Sequence, residues 1–172
     1  LLCGLENSSE ALSPVFAALE EKQLVPTLES NESYTAAERE ALQALLGCPE
    51  AQIISAQQFA AKHAYTETEC ATYQAMQTLI DDLNTMHSRA GAQPPFSSLN
   101  YGTDTSPEGR MVIKNMLLAE QAGLGHGETP IFPIHIFKVK EGINFNPGDP
   151  NYDLFRLACK VSAKRLFPNF SF

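Results

Sequence analysis

The chain has 172 residues, 44% of them hydrophobic, and a formal net charge of −8. That length suffices for one domain with a real core. The acidic balance argues against non-specific nucleic-acid binding, and no apolar run reaches the roughly 18 residues of a membrane span.

The charge is unevenly spread: residues 1–90 hold 13 acids and 4 Lys/Arg, residues 91–172 hold 7 acids and 8 Lys/Arg. The basic groups of the second half suit a small anion or simply a solvated surface. In the first third, Ser13-Pro14 starts a helix that Pro26 ends, and Glu29–Ser33 is a polar connection. Tyr34–Leu46 reads as a helix closed by Gly47, with Pro49 just beyond. Ile53–His63 reads as another short helix. The acid-rich face of these segments is a solvated helix surface, and no chemistry is visible in it.

Residues 66–90 carry the clearest helical pattern. Thr66-x-x-Glu69 has the form of a capping box. Tyr73, Met76, Ile80, Leu83 and His87 follow at spacings of three and four, one stripe of a helix that Gly91 ends. The methionines are core filling, and His87 is a boundary residue or a ligand.

Pro94-Pro95 then breaks the chain, and Phe96–Asn100 is a short strand. Gly102–Ser106 is a polar turn. Ser106-Pro107-Glu108 is a helix start, with a cap, a proline in the first turn and an acid beside it. The helix Gly109–Ala122 is apolar on most sides and should be buried. Gly123-Leu124-Gly125-His126-Gly127 has three glycines in five positions. It follows a helix rather than opening one, so it is no phosphate cradle of the Walker or Rossmann kind.

Thr129–Val139 reads as a strand with apolar residues on both faces. Pro133 removes a ladder donor, which calls for a bulge or an edge. His135 is the one polar group on its face, either a hydrogen-bonded core histidine or a functional one. Asn146-Pro147-Gly148-Asp149-Pro150 is a turn, with Asp149 or Asn151 capping a helix over Tyr152–Phe167. Lys160, Lys164 and Arg165 crowd the C-terminal half of that helix and offset its dipole. Asn169–Phe172 begins another strand and looks like a strand cut from something longer. Strand, helix, strand, helix, strand with parallel pairing is the expected assembly, an α/β fold with a helical N-terminal part. Four scattered cysteines, none in CxxC spacing, signal neither zinc nor a redox pair, and the two within apparent helices read as small buried residues. With no signal peptide pattern, a reducing cytoplasm fits.

Spacing alone builds no catalytic centre. The strings NTMHSRAGAQPPFSSLNYGTDTSPEGR, GLGHGETPIFPIHIFKVKEG and NPGDPNYDLFRLACKVSAKRLFPNFSF, however, closely resemble the catalytic subunit of the anaerobic, class III ribonucleoside-triphosphate reductases. The likeness covers residues 69–172 and leaves 1–65 as a helical segment without a match. It implies that 66–172 are part of the ten-stranded α/β barrel shared by ribonucleotide reductases and glycyl-radical enzymes. It further implies an oxidoreductase that makes deoxyribonucleotides in the cytoplasm. There, a glycyl radical passes to a cysteine whose thiyl takes the ribose 3′ hydrogen, and formate commonly serves as reductant. The family's partners are ribonucleoside triphosphates, an iron–sulfur activase and a second copy of the subunit. Its cofactors are the glycyl radical, zinc, and the nucleotide effectors ATP and deoxynucleotides.

No cysteine here matches the radical-carrying positions. The chain is therefore expected to be a fragment without catalytic residues, metal or bound cofactor, and inactive by itself. By fold analogy, Asn100, Tyr101, Gly102, Thr103, Asp104, Thr105 and Ser106 line a substrate pocket. Gly123, Leu124, Gly125, His126, Gly127, Glu128 and Thr129 form a loop joining a specificity effector to the substrate. The alternatives are a piece of another glycyl-radical barrel and a non-catalytic nucleotide-binding or assembly module.

Overall fold

The computed structural model describes residues 8–29, 31–86 and 94–172. These form two compact units, divided between Glu67 and Thr68. The described elements are α1 (Ser8–Ala11), α2 (Ser13–Glu21), α3 (Glu32–Leu46), α4 (Glu50–Thr85), β1 (Ser98–Tyr101), α5 (Pro107–Ala122), β2 (Ile134–Lys138), α6 (Tyr152–Arg165) and β3 (Asn169–Ser171).

In the first unit α2 packs on α3 through Val15, Leu19 and Ala37. Asn31 caps α3 by accepting the Ser33 amide at 3.0 Å. Gly47 ends α3 in the left-handed region at φ 60°, as the sequence implies. Gln57 of α4 donates to Thr35 O at 3.0 Å and to the Glu38 carboxylate at 2.7 Å.

The capping box at Thr66 is not used. α4 is one helix from Glu50 to Thr85, because no glycine or proline interrupts it and its alanine content favours continuation. The Thr66 hydroxyl bonds back to Lys62 O at 3.0 Å, and Glu69 pairs instead with Lys114 at 2.7 Å. His87 and Gly91 lie outside the described residues.

The second unit holds a parallel sheet in the order β1-β2-β3. Ser98 to Tyr101 pair with Ile134 to Phe137, and Ile136 to Lys138 with Asn169 to Ser171. α5 and α6 connect the strands and share one core with β2: Ile113 and Leu117 meet Phe137, Val139, Leu154, Ala158 and Val161. Burial alternates along β2, with His135 and Phe137 fully covered and Ile134 and Ile136 only half-buried. The strand is thus covered on one face rather than both. Pro133 needs neither a bulge nor an edge, because β2 is central and begins one residue later. Cys70 and Cys159 are exposed on their helices, contrary to the expectation of burial, because both lie on solvent faces.

Candidate functional site

A loop that follows a parallel strand lies at the carboxyl end of the sheet, and one that precedes a strand lies at the other end. The loop after β1 (Asn100–Ser106) and the loop before β2 (Gly123–Thr129) are therefore at opposite ends. Between them runs the 16-residue helix α5, about 24 Å long at about 1.5 Å per residue. The structure does not bring the two sets of residues together.

The carboxyl end is built around Gly102. Its φ of +121° and its position against β2 both demand glycine, since a Cβ would lie 2.8 Å from Lys138 O. Two asparagines, each at 0% exposure, hold the turn. Asn144 donates to Gly102 O at 2.9 Å and Lys138 O at 2.8 Å, and accepts the Lys140 amide at 2.8 Å. Asn151 donates to Gly102 O at 3.2 Å and Asp104 O at 2.6 Å. Its own carbonyl accepts from Arg110 at 2.6 Å, and Arg110 also reaches Pro150 O and, at 2.8 Å, Asp153. Asn151 stands at the N-cap position of α6, yet its side chain makes no cap bond there because it is committed to the loop.

Past this clamp the loop turns outward. Asp104, Thr105 and Ser106 are exposed, and Thr103 is half-buried. Ser106 caps α5 by accepting the Gly109 amide at 3.1 Å. Asp104 accepts from the Ser106 hydroxyl at 2.7 Å and its amide at 2.9 Å, and these bonds hold its carboxyl below the usual carboxylate range. The carboxylate lies so close to Gly109 that a Cβ there would meet it at 2.2 Å. An acid of the chain itself therefore occupies the positive end of α5, and a phosphate is disfavoured at that end. A cavity of about 360 Å³ opens beside the loop, lined by Asn100–Asp104, Gly109, Val112 and Ile113. It adjoins an apolar one of about 250 Å³ that reaches Met76, Leu79 and Met116.

Beneath the loop lies a buried polar chain. Tyr101 Oη is 3.0 Å from His135 Nδ1, and His135 Nε2 is 3.1 Å from Glu120 Oε2. Burial, and then the Glu120 carboxyl, push the Tyr101 phenol well above its ordinary value. The lone polar residue on the β2 face is thus a core histidine with two polar neighbours. Sequence spacing carried one unused signal here. Ile113, Met116, Leu117 and Glu120 lie on a single helical stripe, so an acid interrupts a buried face.

At the opposite end Gly123 and Gly127 take φ of +82° and +86°. The Leu124 amide bonds to Glu128 O at 2.9 Å, and the His126 amide to the Glu128 carboxylate at 3.0 Å. Arg165 closes the base, donating to Gln121 O, Ala122 O and Gly127 O at 2.6–3.0 Å. Asn84 of α4 fixes the exit by accepting the Ile131 amide at 2.8 Å and the Phe132 amide at 3.1 Å. Gly123 is buried and Leu124 half-buried, whereas Gly125, His126, Gly127, Glu128 and Thr129 are exposed. Asn84, Arg110, Asn144, Asn151 and Arg165 each bond to chain 38 or more residues away, besides the local bonds of Asn84 to Ile80 O and of Asn144 to Lys138 and Lys140. Such contacts leave no local trace in a sequence.

The described residues contain no group of three or more His, Cys, Asp or Glu that could hold a metal ion. No described helix is long and apolar enough to cross a membrane.

Parallel strands alternating with helices define an α/β protein, with polar loops clamped at both ends of its sheet. Comparison with known proteins makes this specific. The family model for anaerobic ribonucleoside-triphosphate reductase matches residues 34–172, and the chain belongs to that family. It is 39% identical over 105 residues to the anaerobic ribonucleoside-triphosphate reductase of Escherichia coli (strain K12), covering 60% of this chain and 14% of that protein. It is 39% identical over 107 residues to that of Haemophilus influenzae, covering 62% and 15%. To the reductase of Enterobacteria phage T4 it is 40% identical over 111 residues, covering 64% and 18%. The chain thus matches less than a fifth of the length of these relatives.

Proposed function

We propose that the chain works within an anaerobic ribonucleoside-triphosphate reductase, as part of its ten-stranded α/β barrel, and that its share of the work is nucleotide contact rather than radical transfer. The observation that carries this reading is the Asn100–Ser106 loop. It leaves a parallel strand at the carboxyl end, is held by two buried asparagines, and presents Thr103 and Asp104 at a cavity of about 360 Å³. A hydroxyl and a carboxylate suit ribose hydroxyls and base edges. The triphosphate is assigned elsewhere, because Asp104 fills the end of α5 where a phosphate would otherwise sit.

Family membership supports the rest of the reading: ribonucleoside triphosphates as substrates, ATP and deoxynucleotides as effectors, an activase and a second subunit as partners, and a cytoplasmic setting. Zinc and the glycyl radical belong to the same reading, but the described residues offer no metal-ligating group. Cys48, Cys70 and Cys159 line neither loop. The reading assigns no chemical step to the described residues. For Gly123–Thr129 the reading is a relay of effector identity, supported by an exposed glycine-rich tip between fixed ends.

Titrating a ribonucleoside triphosphate into the protein while following backbone amide resonances tests the substrate assignment. The expected result is saturable movement of the amides from Asn100 to Ser106. Movement confined to other segments, or none, overturns it.

A further inference from the structure

The clamped loop begins at Tyr101, and Tyr101 ends in the buried chain to His135 and Glu120. His135 and Glu120 are both at 0% exposure. Their contact is close, 3.1 Å from Nε2 to Oε2, but it is not aligned as a hydrogen bond, and neither carboxylate oxygen has another partner. A lone carboxylate so placed would be a bare charge in a dry core. Among the described residues no cation other than His135 is paired with it. The adjoining cluster is Ile80, Met116 and Ala119, with Leu99, Met76 and Leu79 packed against it. Arg165 of α6 directs its guanidinium to main-chain carbonyls.

We propose that Glu120 and His135 form an electroneutral pair that makes Tyr101 a hydrogen-bond acceptor, so that both act as positioning residues for the β1–α5 loop. The positioning half of this rests on the nucleotide reading of that loop. Two arrangements of the pair are neutral and leave no carboxyl hydrogen without an acceptor. In one, an imidazolium faces a carboxylate, and both ring nitrogens carry hydrogen. In the other, a protonated Glu120 donates to Nε2 of a neutral ring, whose hydrogen is then on Nδ1. Either way Nδ1 is protonated and donates to Tyr101 Oη across 3.0 Å. Tyr101 donates to Nδ1 only when the ring hydrogen is on Nε2: beside an ionised Glu120 that leaves one uncompensated negative charge, and beside a protonated Glu120 it leaves the carboxyl hydrogen without an acceptor in the dry core. Tyr101 as acceptor leaves its own hydrogen uncommitted, and the residue lines both adjoining cavities.

The test is nitrogen NMR of the protein labelled with ¹⁵N-histidine. The His135 ring is identified by its response to Tyr101→Phe, which removes one hydroxyl, and by its loss in His135→Gln where that variant folds. A protonated, pyrrole-type Nδ1 is the expected result. A pyridine-type Nδ1 overturns the proposal. The second arm measures ribonucleoside-triphosphate affinity in Glu120→Leu, which leaves His135 Nε2 without this partner and should bind several-fold more weakly than the unsubstituted protein. Unchanged affinity refutes the positioning role. If the unsubstituted protein binds no nucleotide at this loop, the functional reading falls and the positioning role falls with it, while the nitrogen result decides the pair by itself.

Discussion

Asn144 is the sharpest place to perturb the carboxyl edge. Its side chain makes three bonds to main chain, with Gly102 O, Lys138 O and the Lys140 amide. Asn144→Ala removes all three. Gly102 O keeps Asn151 as a donor, but Lys138 O and the Lys140 amide lose this partner in a part-buried place. At about 1 kcal/mol net per bond, with a further penalty for buried groups left bare, the loss should be about 3–5 kcal/mol. Asn144→Asp preserves shape and the acceptor but turns a carboxylate oxygen toward two carbonyl oxygens. Near neutral pH it should cost more than the alanine. Such a carboxyl would have its folded-state value raised, so its penalty shrinks as pH falls and the protonated group can donate to one carbonyl. Urea unfolding of both variants near pH 7 and near pH 5 reads this directly. If Asn144→Ala loses under about 1 kcal/mol, or if the aspartate is no worse than the alanine near pH 7, the clamp does not hold the loop.

Leu117, at 0% exposure between the strands and α6, should not tolerate a charge. Leu117→Asp should cost several kcal/mol, on the order of 4, and an unchanged melting temperature would place α5 outside the core. Gly123→Ala combines a φ of +82° with a Cβ 2.5 Å from Glu128 O and 2.7 Å from Arg165 Nη2, so it should destabilise the base of its loop. Hydrogen exchange at Leu124 and Gly127 should then quicken, and unaltered protection would argue against the Arg165 closure. The raised Tyr101 phenol contributes stability that is intact below the ordinary tyrosine value of about 10 and is lost as pH rises above it. Tyr101→Phe should flatten that alkaline decline, and an identical slope in denaturation midpoint against pH would remove Tyr101 as its source.

How much of this a sequence can carry depends on the range of the contacts. The start of α5 was readable because Ser106, Pro107 and Glu108 act within one turn of one another. The parallel sheet was readable because strands alternate with helices. Thr66-x-x-Glu69 misled because a capping pattern has meaning only where the chain breaks upstream, and here Glu69 serves Lys114, 45 residues away. Asn151 read as a cap and does stand at the cap position, but its amide is directed 47–49 residues back to Asp104 and Gly102. Candidate loops were found by their composition, whereas the residues that hold them were not. A glycine-rich or hydroxyl-rich stretch announces itself, but the asparagine or arginine that clamps it looks like any other polar residue.

The loop before β2 shows what such clamps do for mobility. Its entrance is held by Arg165 and its exit by Asn84, so what freedom it has lies in the exposed residues from Gly125 to Thr129, of which Gly127 O is tied to Arg165 and Glu128 O to the Leu124 amide. A relay of effector identity needs two arrangements of this tip that an effector binds unequally. Gly125 is the position at which to remove that freedom. An added Cβ there meets nothing within 4 Å, and its φ lies outside the left-handed range, whereas Gly127 sits at φ +86° and would strain with any side chain. Gly125→Pro therefore stiffens the tip with little cost to the fold, and Gly127→Val displaces it. In the reductase, both should blunt the effector-driven change in the ratio of turnover on two competing ribonucleoside triphosphates, while each substrate is still reduced without effector. If a deoxynucleotide changes that ratio as strongly in both variants as in the unsubstituted enzyme, the loop is only a connector. Any message between the two ends of the sheet, about 24 Å apart along α5, must then take another route.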